Sequence, residues 1–302
     1  MADLPLNRQF EPHYGETIDV TPLVRRVVAP NESAFTFKGT GTYVIGRGNV
    51  AVVDPGPLDH DHVQAILDGL KGETVTHILI THTHNDHSPA AAPLKEKTGA
   101  PTYGFGPHGI GSGGGVAEGA RMDEGGDMAF VPDNVIKDGD SIEGDGWTAD
   151  CVFTPGHTSN HMCFGLREEK ALFTGDHVMG WSTAVIAPPD GDMADYMASL
   201  RKLLDRDDLV YYPTHGAPVT KPQSLVRGYI AHRKAREAQI LTRLEAGDRT
   251  ITAMVPIMYA ETDKRLHPAA ARSVFAHMKQ MAEEGRIHTN GVPAINGEYW
   301  LD

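Results

Sequence analysis

At 302 residues the chain is long enough for one large domain with a small companion, and 40% hydrophobic with 22% charged residues is an ordinary globular balance. No apolar run approaches the roughly 20 residues of a membrane-spanning helix, which excludes a helical membrane protein. The net charge of −13 is unevenly spread: residues 1–220 carry 15 Lys+Arg against 31 Asp+Glu, a net of −16, and residues 221–302 carry 12 against 9, a net of +3, so long-range attraction to nucleic acid is not the electrostatic default.

Residues 1–8 have neither a basic n-region nor an apolar h-region, and a cytoplasmic location is the expectation. Strand-like residues 42–45 and 50–53 flank Gly46-Arg47-Gly48-Asn49 and predict a hairpin, which Asp54-Pro55-Gly56 ends. Residues 60–70 have helical spacing, with Val63, Ile66, Leu67 and Leu70 on one face and Asp59 as N-cap. Residues 76–80 read as a strand that stops in a histidine-rich loop. Strand, helix, strand and functional loop predict an α/β fold with its site at strand ends. Residues 104–128 are too rich in glycine to be element interiors and read as an irregular insertion that either covers the site or has no role. Cys151 and Cys163 lie in strand-like runs and are expected to be buried and reduced. From Pro222 the pattern becomes helical: Leu225, Tyr229, Ile230, Ile240, Leu241 and Leu244 mark a long helix, and two shorter ones follow around 251–261 and 269–284. Pro268 starts the last helix, Gly285 stops it, and residues 286–289 and 298–301 predict a terminal hairpin. The order is winged-helix-like, and the expected division is 1–222 and 223–302.

The chemistry is concentrated in Thr81-His82-Thr83-His84-Asn85-Asp86-His87. His82 and His84, two apart in an extended loop, can aim imidazoles at one metal, while Asp86 and His87 curl back toward a second. Imidazole and carboxylate without thiolate suit zinc, manganese or iron. Three further segments, ending in His157, Asp176 and His215, each place one ligand-type residue after a strand and beside a glycine that lets the backbone turn.

The pattern His-x-His-x-Asp-His, then His, Asp and His, resembles the metallo-β-lactamase superfamily over residues from about 40 to 216. The resemblance implies an αββα sandwich with two metals at one edge of the facing sheets. It implies that His82, His84 and His157 hold the first metal, that Asp86, His87 and His215 hold the second, and that Asp176 bridges them. Asp54, in Val53-Asp54-Pro55-Gly56, matches the family's aspartate that orients a ligand histidine. Segments at 195–200, 213–219 and 229–233 resemble the lactamase-B-like subgroup with an appended winged helix, whose relatives include hydroxyacylglutathione hydrolases and endoribonucleases.

Other histidines have blander readings. His60-Asp61-His62 imitates a ligand motif at a helix start and reads as a cap region with solvated side chains. His161 anchors the following strand or, as a tentative catalytic role, donates a proton. His177 is expected to point away from Asp176, and His108 on the insertion is weighed as a substrate contact. Between two such cations a water loses its proton near neutral pH and becomes the nucleophile, with Asp86 holding it in place. The expected function is a dinuclear hydrolase of a small ester, thioester or lactone, with Zn2+ as the first choice and Mn2+ or Fe2+ as alternatives. RNA cleavage is the alternative; a persulfide dioxygenase and a non-catalytic nucleic-acid-binding protein rank lower. A small-molecule substrate, possible homo-oligomer formation and no membrane partner complete the expectation.

Overall fold

The computed structural model describes residues 4–110 and 125–302; the centre of the insertion expected at 104–128 lies outside them. β1 (Ile18–Asp19), β2 (Val24–Val28), β3 (Gly41–Ile45), β4 (Asn49–Val53), β5 (Thr74–Leu79), β6 (Thr102–Gly104) and β7 (Asn134–Val135) form one sheet in that order. β8 (Ser141–Gly144), β9 (Trp147–Phe153), β10 (Met162–Leu166), β11 (Ala171–Gly175) and β12 (Val210–Pro213) form a second, ordered β12-β11-β10-β9-β8.

Side-chain alternation makes these sheets the middle of a sandwich. Tyr43, Ile45, Ala51 and Val53 turn inward to meet Trp147, Cys151, Phe164, Phe173 and Tyr212 of the other sheet. Their neighbours Val44, Val50 and Val52 turn outward onto Ile66 of α1 (His60–Gly69), Leu70 at its C-cap and Leu94 of α2 (Ala91–Thr98). On the far side, Val152, Cys163, Leu172 and Tyr211 pack against Tyr196 and Leu200 of α3 (Met193–Leu204) and Leu225, Val226 and Tyr229 of α4 (Pro222–Glu245). Each fully buried aliphatic or aromatic side chain is worth roughly 1.5–3 kcal/mol of transfer free energy, and a one-residue slip would turn a whole strand's set to the wrong face. The αββα order and the hairpin of β3 and β4, with Tyr43 opposite Val53, agree with the sequence. Asp59 caps α1 by accepting from the Asp61 and His62 amides. Both cysteines are free and buried, one on each face of the second sheet.

Beyond the sandwich, α5 (Ile251–Met258), α6 (His267–Glu283) and the hairpin of β13 (His288–Thr289) with β14 (Tyr299–Trp300) follow in the winged-helix-like order that the sequence suggests. α4 runs through both parts. Its first half lies on the second sheet, and Ile240 and Leu244 at its other end pack with Met254, Val274 and Met278.

Strand direction gathers the site. β4 and β5 are parallel, and β9 and β11 both run antiparallel to β10 while β11 and β12 are parallel. The segments after β4, β5, β9, β11 and β12 therefore leave at carboxyl ends and can meet in one crevice.

Candidate metal centre

Seven side chains from four of these segments converge, and all are buried: His82, His84, Asp86, His87, His157, Asp176 and His215. His82 Nε2 and His157 Nε2 each lie 3.1 Å from His84 Nδ1. Asp86 Oδ2 lies 3.3 Å from His87 Nε2 and 3.1 Å from His215 Nε2. Asp176 stands between the two sets, with Oδ1 3.6 Å from His87 Nε2 and 3.4 Å from His215 Nε2, and Oδ2 3.8 Å from His157 Nε2.

Outer partners decide which nitrogen faces inward. Thr81 Oγ1 donates to Asp54 Oδ2 at 2.6 Å, so its remaining capacity is to accept, and His82 Nδ1 donates to it at 3.1 Å. His87 Nδ1 donates to Asp54 Oδ2, His157 Nδ1 to the Val185 carbonyl and His215 Nδ1 to the Gly39 carbonyl. Each Nε2 is left pointing into the cluster. Asp54 also receives the Thr81 amide and the Thr214 hydroxyl, and it holds its backbone at φ 47° to do so.

His84 Nδ1 faces both Nε2 atoms at 3.1 Å and has at most one proton to give, so at least one of the two contacts needs another partner. A tetrahedral zinc with N at about 2.0–2.1 Å has edges of roughly 3.3 Å, so a cation resolves the contact. His87 Nε2 and Asp176 Oδ1 are buried without a hydrogen-bond partner among the described residues, which a role as metal ligands explains. Three sets of donor atoms lie close enough together to hold a cation: His82, His84 and His157; Asp86, His87 and His215; and His82, His87 and Asp176. The third overlaps the other two because Asp176 lies between them. The donor set fits two divalent cations.

The electrostatics of the protein alone make the same point. Burial would lower the His87 and His215 pKa values, but Asp86 and Asp176 (with Asp54 for His87) outweigh it; His87 is raised well above its usual range and His215 up to about 10. Burial would raise the two carboxyls, yet the facing imidazoles hold Asp86 and Asp176 well below theirs. His82 is lowered by burial and by the histidines around it.

Several expectations need correction or placement. His161 does not line the cavity: its Nδ1 meets Thr154 Oγ1 at 2.9 Å, and its Nε2 accepts the Asp176 amide at 3.3 Å. Fully buried, and kept neutral by burial and the adjacent histidines, it positions the Asp176 backbone. His62 is not solvated: it is buried beneath Gly56, with Nε2 2.9 Å from Thr42 Oγ1, because the first turn of α1 folds onto the sheet. His60 is exposed. His177 is buried between the rings of His161 and Tyr196, away from the cluster. His108 bonds Thr83 Oγ1 at 3.0 Å, with its ring 6.1 Å from that of His84. The near ends of the insertion join the histidine loop, since the Asp127 amide donates to the Thr83 carbonyl and the Asn85 amide to the Gly125 carbonyl; residues 111–124 lie outside the described residues.

A cavity of about 240 Å³ opens from His84, Asp86, His157, Asp176 and His215 toward the C-terminal part. Trp181, Met179 and Phe35 wall its middle, and His232, Arg233 and Arg236 of α4 with Tyr259, Leu266 and Ser273 close its far end. Sequence reasoning missed this wall. Its one signal is that Arg233 and Arg236 interrupt the stripe Tyr229, Arg233, Arg236, Ile240, which is otherwise apolar at helical spacing. The carbonyls of Gly39 and Val185 leave no trace in residue type.

Residues 36–215 match the model of the metallo-beta-lactamase superfamily, and residues 250–293 match the beta-lactamase associated winged helix domain. The chain is similar to the beta-lactamase-like protein 2 homolog of Drosophila melanogaster, 31% identical over 287 residues that cover 90% of this chain and 91% of that one. It is also similar to an atrochrysone carboxyl ACP thioesterase of Passalora fulva, 31% identical over 299 residues, 91% of this chain and 80% of that one. In fold it resembles a beta-lactamase domain protein from Burkholderia ambifaria, at 21% identity and a TM-score of 0.80 over 97% of this chain and 95% of that one.

Proposed function

The chain belongs to the metallo-β-lactamase superfamily and is a hydrolase with an associated winged helix, and from that premise we propose that it uses two divalent cations, zinc first, to hydrolyse a small acyl ester or thioester. The observation that carries the reading is Asp176, whose two oxygens face different donor sets. His82, His84 and His157 would hold one ion, Asp86, His87 and His215 the other, and Asp176 both. Bound there, two cations supply a hydroxide nucleophile near neutral pH and polarise the substrate carbonyl.

The protein's own groups do the rest. Asp86 Oδ1, buried and without a protein partner, is the acceptor that orients the attacking water. Asp54 fixes His87 directly and His82 through Thr81, so both present Nε2 without rearrangement. Trp181, Met179 and Phe35 keep water from the flank of the acyl group. The thioester named for the Passalora fulva relative supports the acyl class, and the acidic first domain weighs against a polyanionic substrate.

The test uses protein purified without chelator. Elemental analysis is expected to approach two metals per chain, with turnover of S-acyl thioesters in preference to single-stranded RNA. Asp176→Ala is expected to lower occupancy of both sites by more than the roughly 10–100-fold that loss of an outer partner costs, while His60→Ala leaves occupancy as it was. One metal per chain at full activity, or turnover of RNA with none of the thioesters, defeats the proposal.

A further inference from the structure

We propose that the far end of the cavity is a subsite for an anionic substituent of the substrate, a carboxylate or a phosphate, gripped by Arg236 with His232 beside it. The inference deepens the acyl-hydrolase reading and rests on it for the word substrate. Charge is segregated along the cavity: among the described residues of its wall, the only carboxylates are Asp86 and Asp176 at the metal end, and the only Arg or Lys side chains are Arg233 and Arg236 at the other.

The two arginines are not equivalent. Arg233 is 2% exposed and spends both terminal nitrogens as a tie, with Nη2 donating to the Ala184 carbonyl at 2.5 Å, Nη1 to Ser273 Oγ at 3.4 Å, and its guanidinium 5.2 Å from the Tyr196 ring centre; its Nε is unpartnered but lies on a fully buried side chain with no free terminal nitrogen beside it. Arg236 is only half-buried and spends only Nη1, on Gln239 Oε1 at 2.8 Å and the Met258 carbonyl at 3.2 Å. Stacking on Tyr259 at 4.2 Å holds its plane still. Its Nε is buried without a hydrogen-bond partner, and among the described residues no carboxylate pairs with it; the nearby Glu237 is engaged by Arg286 at 3.0 Å. A fixed guanidinium with one edge unspent suits a pair of anionic oxygens, as a carboxylate or a phosphate presents, which would satisfy Nε and the charge together. His232 adds a second unpaired buried nitrogen, Nδ1, on the same wall. Burial and the two arginines hold its pKa down to about 4, so it offers a neutral N–H.

The test compares matched thioesters on the metal-loaded protein: S-butyryl against S-glutaryl N-acetylcysteamine, which differ by a terminal carboxylate, and S-butyryl pantetheine with and without its 4′-phosphate. These arms tell an anion on the acyl side from one on the thiol side. In at least one pair the anionic member is expected to have a kcat/KM at least about tenfold higher, one bidentate contact's worth. The advantage is expected to fall to about one in Arg236→Met, and also in Ala269→Asp, which leaves both arginines in place and adds a carboxylate to the wall. Non-hydrolysable thioether analogues of the four probes, titrated calorimetrically, give the same comparison without turnover. Equal kcat/KM and equal binding within both pairs, or a preference that survives both substitutions, overturns the subsite. If protein holding two metals turns over none of the probes, the acyl reading fails by itself, and the thioether affinities still decide whether the far end prefers anions.

Discussion

The inward imidazole nitrogens of His82, His87, His157 and His215 are each chosen by an atom outside the site: a carboxylate, a threonine or a backbone carbonyl. The consequence at this scale is a competition between metal and proton. Without metal, His87 and His215 keep protons to which Asp86 and Asp176 are bound by charge, His215 up to about pH 10. A raised pKa means the protonated form is the favoured one in the folded, metal-free chain. These groups therefore stabilise that chain fully below their unfolded value of about 6.5, and the contribution is lost as pH rises through about 10. Metal must displace both protons, so uptake releases about two from these imidazoles per pair of ions, besides any lost by bound water, and affinity falls as pH is lowered from 9 to 6. Zinc titrations in buffers of different ionisation enthalpy check this; heats that do not depend on the buffer would contradict it. Which residues form the cluster was legible, because ligand-type side chains beside strand-end glycines are rare by chance. The supporting carbonyls of Gly39 and Val185 were not, because any residue supplies a carbonyl.

Among the elements, the strand-end loops are where sequence and shape are most tightly joined. Gly175 ends β11 at φ 50°, and a Cβ there would stand 2.6 Å from His161 Nε2 and 2.7 Å from Thr81 Oγ1. Gly175→Ala is therefore expected to cost about 1–3 kcal/mol through strain and overlap and to weaken metal binding by shifting Asp176. Gly48→Ala, at φ 76° with nothing within 4 Å, meets only the backbone penalty and should cost less. Urea titrations of the metal-loaded proteins compare them, and a Gly175→Ala midpoint at or above that of Gly48→Ala would refute the argument. The hairpin of β3 and β4, α1 and the C-terminal helices were readable from period and caps, as the alternation in β3 and β4 and the Asp59 cap show, whereas the short α2 was not. The burial of His62 was not, since a helix sequence does not say how closely its first turn approaches the sheet.

Across the whole molecule, the C-terminal part faces inward. Tyr259, Leu266, Ala270 and Ser273 line the cavity, so the start of α6 and the segment before it are occupied with the site. With a net of +3 beside −16, residues 221–302 are less basic than sequence-reading modules usually are. Fluorescence anisotropy at roughly 0.15 M salt is expected to show no nanomolar, sequence-selective duplex binding, and finding it would overturn this assignment. The sequence disclosed the winged-helix order but not this orientation, which depends on contacts between residues far apart in the chain, such as Arg233 with Ala184.

α4, about 36 Å long at 1.5 Å per residue, also imposes an order of assembly. The Tyr229 hydroxyl bonds the carbonyls of Met179 and Ser182, and Arg233 bonds that of Ala184, so the segment 179–184 is fastened by residues made some fifty positions later. During synthesis the first sheet and its helices are complete while Val178, Met179, Ile186 and Tyr211 still lack their partners Leu225, Val226 and Tyr229. A ribosome moving at about 5–20 residues per second leaves that apolar face open for several seconds. A chain that stops before α4 keeps it open permanently, so premature termination yields a sticky product, not merely an inactive one.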